Sequence, residues 1–217
     1  MSDSPLKLYG YWRSSASWRL RWALRLKDIP FEYVPVNILK GEHLEAAHLA
    51  RNPLGILPVV EPEKGMFLCE SLAIFEWLEE SFPHKGPSLF PGSPLQRARI
   101  RSLCEIINAE TAPLQTPRAL KRHSADTSER TAWATHFIGE GLRAYESLSR
   151  PLRGEWSVGD QLSAADLCLV PQIYNAHRYG IDMTQELAPL ERLFRKALGL
   201  EACQATSPER QSDAPKT

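Results

Sequence analysis

The sequence predicts an α/β domain followed by an all-helical domain, and three observations carry that prediction. Alternating and helical apolar periods interleave over the first 82 residues. A stretch containing Pro83, Pro87, Pro91 and Pro94 then interrupts them. Beyond it the periods are helical only. The expected division is therefore residues 1–82, a linker at 83–94 and a helical domain at 95–217.

Each element follows from local chemistry. Residues 6–11 alternate as a strand, and 17–27 place Trp18, Leu20, Trp22, Ala23, Leu24 and Leu26 at helical recurrence. Asp28-Ile29-Pro30 stops that helix, because proline disfavours helical backbone in the residue before it. A second strand at 31–37 completes a βαβ unit, whose crossover is right-handed. A short helix at 42–51 precedes a strand at 57–61 entered through Pro58. The turn Pro62-Glu63-Lys64-Gly65 leads to a returning strand at 66–68, and residues 70–81 form an amphipathic helix. The order β-α-β, short helix, β-β-α is thioredoxin-like. In the second domain, 95–107, 127–149 and 164–179 are long helix candidates and 187–198 a shorter one. Residues 207–217 are polar and contain proline, which predicts a loose tail.

Composition narrows the functional classes. Lys plus Arg and Asp plus Glu both number 26, so there is no basic excess to displace counterions from nucleic acid. A local basic pocket for a small anionic substrate remains open. The cysteines at 69, 104, 168 and 203 form no C-x-x-C pair, which fits reduced thiols and a cytoplasmic location. No secretory leader pattern begins the chain, and no apolar run approaches the roughly 20 residues that span a bilayer. The six histidines show no metal-ligating spacing, and the glycines form no phosphate loop.

Three constellations carry possible chemistry. Arg13-Ser14-Ser15-Ala16-Ser17 stands at the first strand-to-helix junction. Hydroxyls beside unpaired backbone N–H groups stabilise a thiolate or carboxylate there, although the same residues serve a plain serine N-cap. Asn52-Pro53-Leu54-Gly55-Ile56-Leu57-Pro58 precedes an extended segment. A cis Pro58 would turn the Leu57 N–H and C=O outward to pair with a peptide-like ligand, whereas a trans proline would merely start a strand. Glu70-Ser71 opens a helix. Ser71 can bind a carboxylate and Glu70 an ammonium group, which together hold both charged ends of an α-amino acid; a capping pair is the structural alternative. Ser163-Ala164-Ala165-Asp166 reads as a structural capping box, and Arg178 late in its helix either reaches a cleft or closes a helix-end ion pair. Cys69 and Cys168 sit in apolar settings and read as core.

Taken together, these residues resemble the zeta class of glutathione transferases, which includes maleylacetoacetate and maleylpyruvate isomerases. The resemblance runs over roughly residues 6–207. Its most specific element is Ser14-Ser15-Ala16-Ser17-Trp18-Arg19-Leu20-Arg21, similar to the class signature S-S-C-x-W-R-V-R. Leu57-Pro58, Glu70-Ser71-Leu72-Ala73-Ile74 and Asp166-Leu167-Cys168-Leu169-Val170-Pro171-Gln172 also match, as does Asn175-Ala176-His177-Arg178-Tyr179. The resemblance implies the glutathione transferase fold, glutathione as cofactor and a homodimer. It implies that Ser14 or Ser15 faces the glutathione sulfur, with Ser17 beside them. Leu57, with Pro58, would meet the cysteinyl backbone, Glu70 and Ser71 the γ-glutamyl end, and His43 the glycine end. Arg13 and Arg178 would attract the carboxylates of a small anionic substrate, a cis diketo acid isomerised to its trans form. Conjugation or dehalogenation of α-halo acids shares the same thiolate attack, and a non-catalytic binding protein is the third reading. The sequence departs from the family pattern at Ala16, at Ile56 and at Thr116-Pro117-Arg118.

Overall fold

The computed structural model describes residues 5–216. Of these, the residues up to Ser88 and from Leu200 onward form one compact unit, and Leu89–Gly199 form a second.

In the first unit, β1 (Leu6–Gly10) runs into α1 (Ser15–Leu26), which returns to β2 (Phe31–Pro35). A 3-10 turn at Glu42–Leu44 and the short α2 (Ala46–Leu49) lead to β3 (Val59–Glu61) and then α3 (Ser71–Ser81). The sheet order is β2-β1-β3, with β2 parallel and β3 antiparallel to the central β1. Leu8 of β1, Leu20, Trp22 and Leu24 of α1, Val60 of β3, and Ile74, Phe75 and Leu78 of α3 are fully buried. Burying each large apolar side chain contributes roughly 1.5–3 kcal/mol. Lys27, at the C-terminus of α1, is also buried, and its Nζ lies 2.7 Å from Glu79 Oε1 on α3. That charge can be buried only because it is paired.

The returning strand expected at 66–68 is reduced to a single bridge. Val60 and Leu68 exchange reciprocal backbone hydrogen bonds of 2.9 and 2.8 Å, and pairing then stops. The cause lies two residues on: Glu70 adopts φ 69°, which turns the chain out of any extended ladder and into α3.

The second unit is helical, with α4 (Pro94–Glu105), α5 (Pro117–His123), α6 (Thr127–Ser149), α7 (Ala164–Arg178) and α8 (Ala188–Leu198). Ser93 and Gln96 form a reciprocal capping box that starts α4. Its C-terminal end widens into a π-helical turn at Ile106–Thr111. Gly141 of α6 makes room for that turn, since a Cβ there would stand 2.0 Å from Thr111 Oγ1. The periodicity did not reveal α5, a helix of seven residues capped by Thr116, whose hydroxyl accepts from the Ala119 N–H at 3.2 Å. Among the described residues, no helix is long and apolar enough to cross a membrane.

The C-terminal segment departs most from its composition. α9 (Glu201–Ala205) packs on α1, and the chain from Thr206 to Asp213 is tied to the first unit by hydrogen bonds. The polarity that predicts a loose tail instead supplies the partners for buried polar groups there.

Candidate functional site

Register brings the first-unit motifs to one place. β1 and β3 pair Tyr9 with Val59, and Val60 pairs with Leu68. The chain leaves β1 beyond Gly10, enters β3 from Pro58 and runs on from Leu68 toward α3, all at the same end of the sheet. The residues immediately after β1, before β3 and before α3 therefore meet at one end of the sheet.

At that end, Ser14 is the N-cap of α1. Its Oγ accepts from the Ser17 N–H at 3.2 Å, and its own N–H donates to the Tyr11 carbonyl at 3.0 Å. A hydroxyl oxygen that accepts a cap bond still has its proton to donate. Ser15 and Ala16 are the first two helical residues, so their N–H groups have no carbonyl within the helix. Ser14, Ser15 and Arg13 are all half-buried. The Arg13 guanidinium lies 5.5 Å from the centre of the Trp12 ring. Ser17 behaves differently from its expected contact with a cofactor. It is fully buried, and its Oγ accepts from the Tyr11 N–H at 3.2 Å, which holds the end of β1.

The Leu57-Pro58 peptide bond is cis. The Ile56 carbonyl before it is held by two buried side chains, His48 Nε2 at 3.1 Å and Asn52 Nδ2, which donates at 3.2 Å. Asn52 Oδ1 also accepts from the Leu54 N–H, closing the turn on itself. Gly55 within the turn has φ +61°, and a Cβ there would approach the His43 carbonyl to 3.0 Å. The glycine thus lets the turn carrying His43 lie against the segment that enters Leu57. The departure at Ile56 does not disturb this arrangement, because its backbone carbonyl makes both bonds.

Glu70 is the N-cap of α3 at φ 69° and ψ 119°, a region that non-glycine residues occupy only under strain. It makes no side-chain cap bond, its side chain is exposed, and Ser71 behind it is buried. The first N–H groups of α3 have no carbonyl within the helix and stand next in sequence to an exposed carboxylate, a combination that suits a ligand carrying both charges. The thiol of Cys69 beside it is pushed up, first by burial and then by the Glu70 carboxylate, so this cysteine is not poised as a thiolate.

Two groups that sequence reasoning passed over complete the site. Arg21 is fully buried; its Nη1 and Nη2 donate to the Tyr11 and Trp12 carbonyls at 3.4 and 3.0 Å, and its Nε to the Thr206 carbonyl at 3.1 Å. Burial lowers its pKa to about 10, against the favourable charges of Tyr33 and Asp213. Asp213 Oδ2 accepts from the Trp12 N–H at 2.9 Å. An arginine on the apolar face of α1 was the available signal; its aspartate partner, 201 residues away from Trp12, gave none.

In the second unit, Arg178 is the last residue of α7 and is exposed, with Nη1 donating to Asn175 Oδ1 at 3.1 Å. At the other end of that helix, Asp166 is fully buried and accepts from the Ser157 and Ser163 N–H groups, each at 3.0 Å, and from the Ser163 hydroxyl at 3.2 Å. This is the structural capping box that the sequence predicts.

A thioredoxin-like unit with a cis proline before its antiparallel strand and a hydroxyl-rich helix start after its first strand, joined to an all-helical unit, defines the glutathione transferase fold. Residues 4–80 match the family model described as glutathione S-transferase, N-terminal domain. Maleylacetoacetate isomerase of Rhizobium meliloti (strain 1021) is 40% identical over 208 residues, covering 94% of this chain and 96% of that protein. A crystal structure of maleylacetoacetate isomerase from Anaeromyxobacter dehalogenans 2CP-1 with bound GSH in the active site is 42% identical. It has a TM-score of 0.87 and covers 97% of this chain and 98% of its own. A holo structure of a bacterial maleylpyruvate isomerase, described as a zeta-class glutathione S-transferase, gives a TM-score of 0.90 at 37% identity, covering 96% and 100%. The chain belongs to the zeta-class glutathione transferase family of maleylacetoacetate and maleylpyruvate isomerases.

Proposed function

We propose that this chain is a glutathione-dependent isomerase that converts a cis diketo acid of the maleylacetoacetate or maleylpyruvate type into its trans isomer. The observation that carries the reading is the strained, uncapped start of α3 at Glu70-Ser71, at the same end of the sheet as Leu57-Pro58 and the serine turn after β1. Strain of order 1–3 kcal/mol at a non-glycine residue persists where the surroundings enforce it, and a ligand site is a common reason. When bound, glutathione supplies a thiol whose ionised form adds reversibly to the conjugated double bond and leaves after rotation about it.

The residues of this chain divide the work. Glu70 pairs with the ammonium of the γ-glutamyl end, while Ser71 and the N–H groups opening α3 take its carboxylate. Leu57, set by Pro58, receives the cysteinyl backbone as an added strand. His43 serves the glycine end. Ser14 or Ser15 donates its hydroxyl proton to the sulfur. A hydrogen bond to a charged group is worth roughly 1.5–3 kcal/mol, or about one to two units off a thiol pKa near 8.5. The N-terminus of α1 acts in the same direction. Arg13, beside the serine turn, is the cation assigned to a substrate carboxylate and to the negative charge that develops on the neighbouring carbonyl; the family resemblance assigns Arg178 the same kind of role. The protein is taken to work as a cytoplasmic homodimer, as the reduced cysteines and the family resemblance suggest.

The test is an ultraviolet assay with maleylacetoacetate and maleylpyruvate, with and without glutathione, on the wild type, Ser14→Ala and Ser15→Ala. Turnover should require glutathione without consuming it, and at least one substitution should lower it by about tenfold or more at saturating glutathione. Undiminished turnover in both variants would remove the hydroxyl role, and consumption of glutathione would reassign the chemistry to conjugation.

A further inference from the structure

Tyr11 and Trp12 link β1 to the serine turn, and their backbone is held at every polar group. The Tyr11 N–H donates to Ser17 Oγ, and the Tyr11 carbonyl accepts from the Ser14 N–H and from Arg21 Nη1. The Trp12 carbonyl accepts from Arg21 Nη2, and the Trp12 N–H donates to Asp213 Oδ2 at 2.9 Å. Four of these five bonds come from residues of α1 and its cap. The fifth comes from the C-terminal segment, which is also anchored where Arg21 Nε donates to the Thr206 carbonyl.

The Asp213 carboxylate is an expensive way to make one such bond. Its second oxygen, Oδ1, is buried with no hydrogen-bond partner among the described residues, and the Tyr33 hydroxyl reaches Oδ2 only at 3.4 Å. A half-satisfied buried carboxylate destabilises a fold unless its charge or its one good bond is needed. Two needs are visible: it is a counter-charge to the buried Arg21, and it fixes the Trp12 N–H, two residues before the first of the residues that carry the reactive hydroxyls.

We infer that Asp213 is a positioning residue for the glutathione site: together with Arg21 it clamps the Tyr11–Trp12 backbone and so sets where the hydroxyls of Ser14 and Ser15 stand relative to the sulfur. The inference rests on the function proposed above. It assigns the C-terminal segment to the reaction, although no atom of Asp213 need touch glutathione or substrate. A ligand still anchored through Leu57, Glu70 and Ser71 would keep its place when the clamp is lost, while the hydroxyls drift from the sulfur.

Asp213→Ala and Asp213→Asn, compared with the wild type, test this through three readouts. In the ligand-free protein, amides at residues 12–15 should exchange with deuterium about tenfold faster in Asp213→Ala. The pKa of the bound glutathione thiol, read from thiolate absorbance, should rise by about one unit. kcat should fall by on the order of tenfold to a hundredfold, with glutathione affinity changed less than about threefold. Asp213→Asn, which keeps an oxygen for the Trp12 N–H, should restore most of each loss. A merely stabilising residue would lower the melting temperature while leaving the thiol pKa and the exchange at 12–15 unchanged, and that result overturns the inference. Failure of the wild type to bind glutathione by calorimetry would instead sink the functional reading, and the exchange experiment would then decide the clamp alone.

Discussion

The starts of α7 and α3 use the same two residue types, a serine and an acid, to opposite ends. At α7 the acid is Asp166, buried, and three donors from Ser157 and Ser163 converge on its carboxylate. At α3 the acid is Glu70, exposed, in a left-handed backbone conformation, and it caps nothing. The first arrangement satisfies the polar groups of a helix start from within the protein; the second gives them no side-chain cap. A fold optimised only for stability would make both ends resemble α7. α3 does not, and its first N–H groups are left for water or a ligand to satisfy.

Substitutions can break this contrast or sharpen it. The largest effect should come from Asp166→Ala, which leaves three buried donors without an acceptor. Urea unfolding should show a loss of about 3 kcal/mol or more. A loss below about 1 kcal/mol would show that the two helix starts are less different than they look. Glu70→Gly should act with the opposite sign on stability. Glycine accepts φ 69° without strain, so the unfolding free energy should stay level or rise by up to about 1 kcal/mol. Glutathione affinity, measured by calorimetry, should fall tenfold or more through loss of the charge-assisted contact. If Glu70→Gly binds glutathione normally, the strain has another cause.

The smallest effect belongs to a third kind of helix start. Asp126, exposed at the opening of α6, is held below the usual carboxyl range by the Ser128 hydroxyl and by the backbone N–H groups of Glu129 and Ser128. Because its folded pKa is depressed, the folded state holds fewer protons than the unfolded chain over that window. The stabilisation is therefore present above the unfolded carboxyl pKa and lost as pH falls through the folded one. Amide exchange in the first turn of α6 should rise on acidification in the wild type, and Asp126→Ala should show that faster exchange already at neutral pH. An acid dependence that survives Asp126→Ala would assign it to another group.

Much of the site was legible because it is built from local rules. Ser14 caps α1 because a small hydroxyl at a strand-to-helix junction has an N–H three residues ahead to bind. Asn52 closes its own turn, and Gly55 supplies the positive φ next to it. Ser163 and Asp166 form the box their spacing announces. Ser17 is buried, which a row of serines does not announce; the helical phase decides which hydroxyl faces inward. The strand at 66–68 shrank to one bridge because the distortion that ends it sits at Glu70, a residue type with no preference for that conformation.

By itself the sequence determined the order of elements, the helix starts and the three motifs, since each depends on contacts a few residues long. Only the tertiary structure decided that the motifs meet. The pairings of Tyr9 with Val59 and of Val60 with Leu68 bring the three segments to one end of the sheet, and no local signal encodes such pairing. It alone also decided the fate of the C-terminal segment. A polar, proline-containing run is unstructured on its own, but the buried Arg21 and the Trp12 N–H need partners that the rest of the first unit does not supply. Satisfying those groups is what holds Thr206 and Asp213 in place.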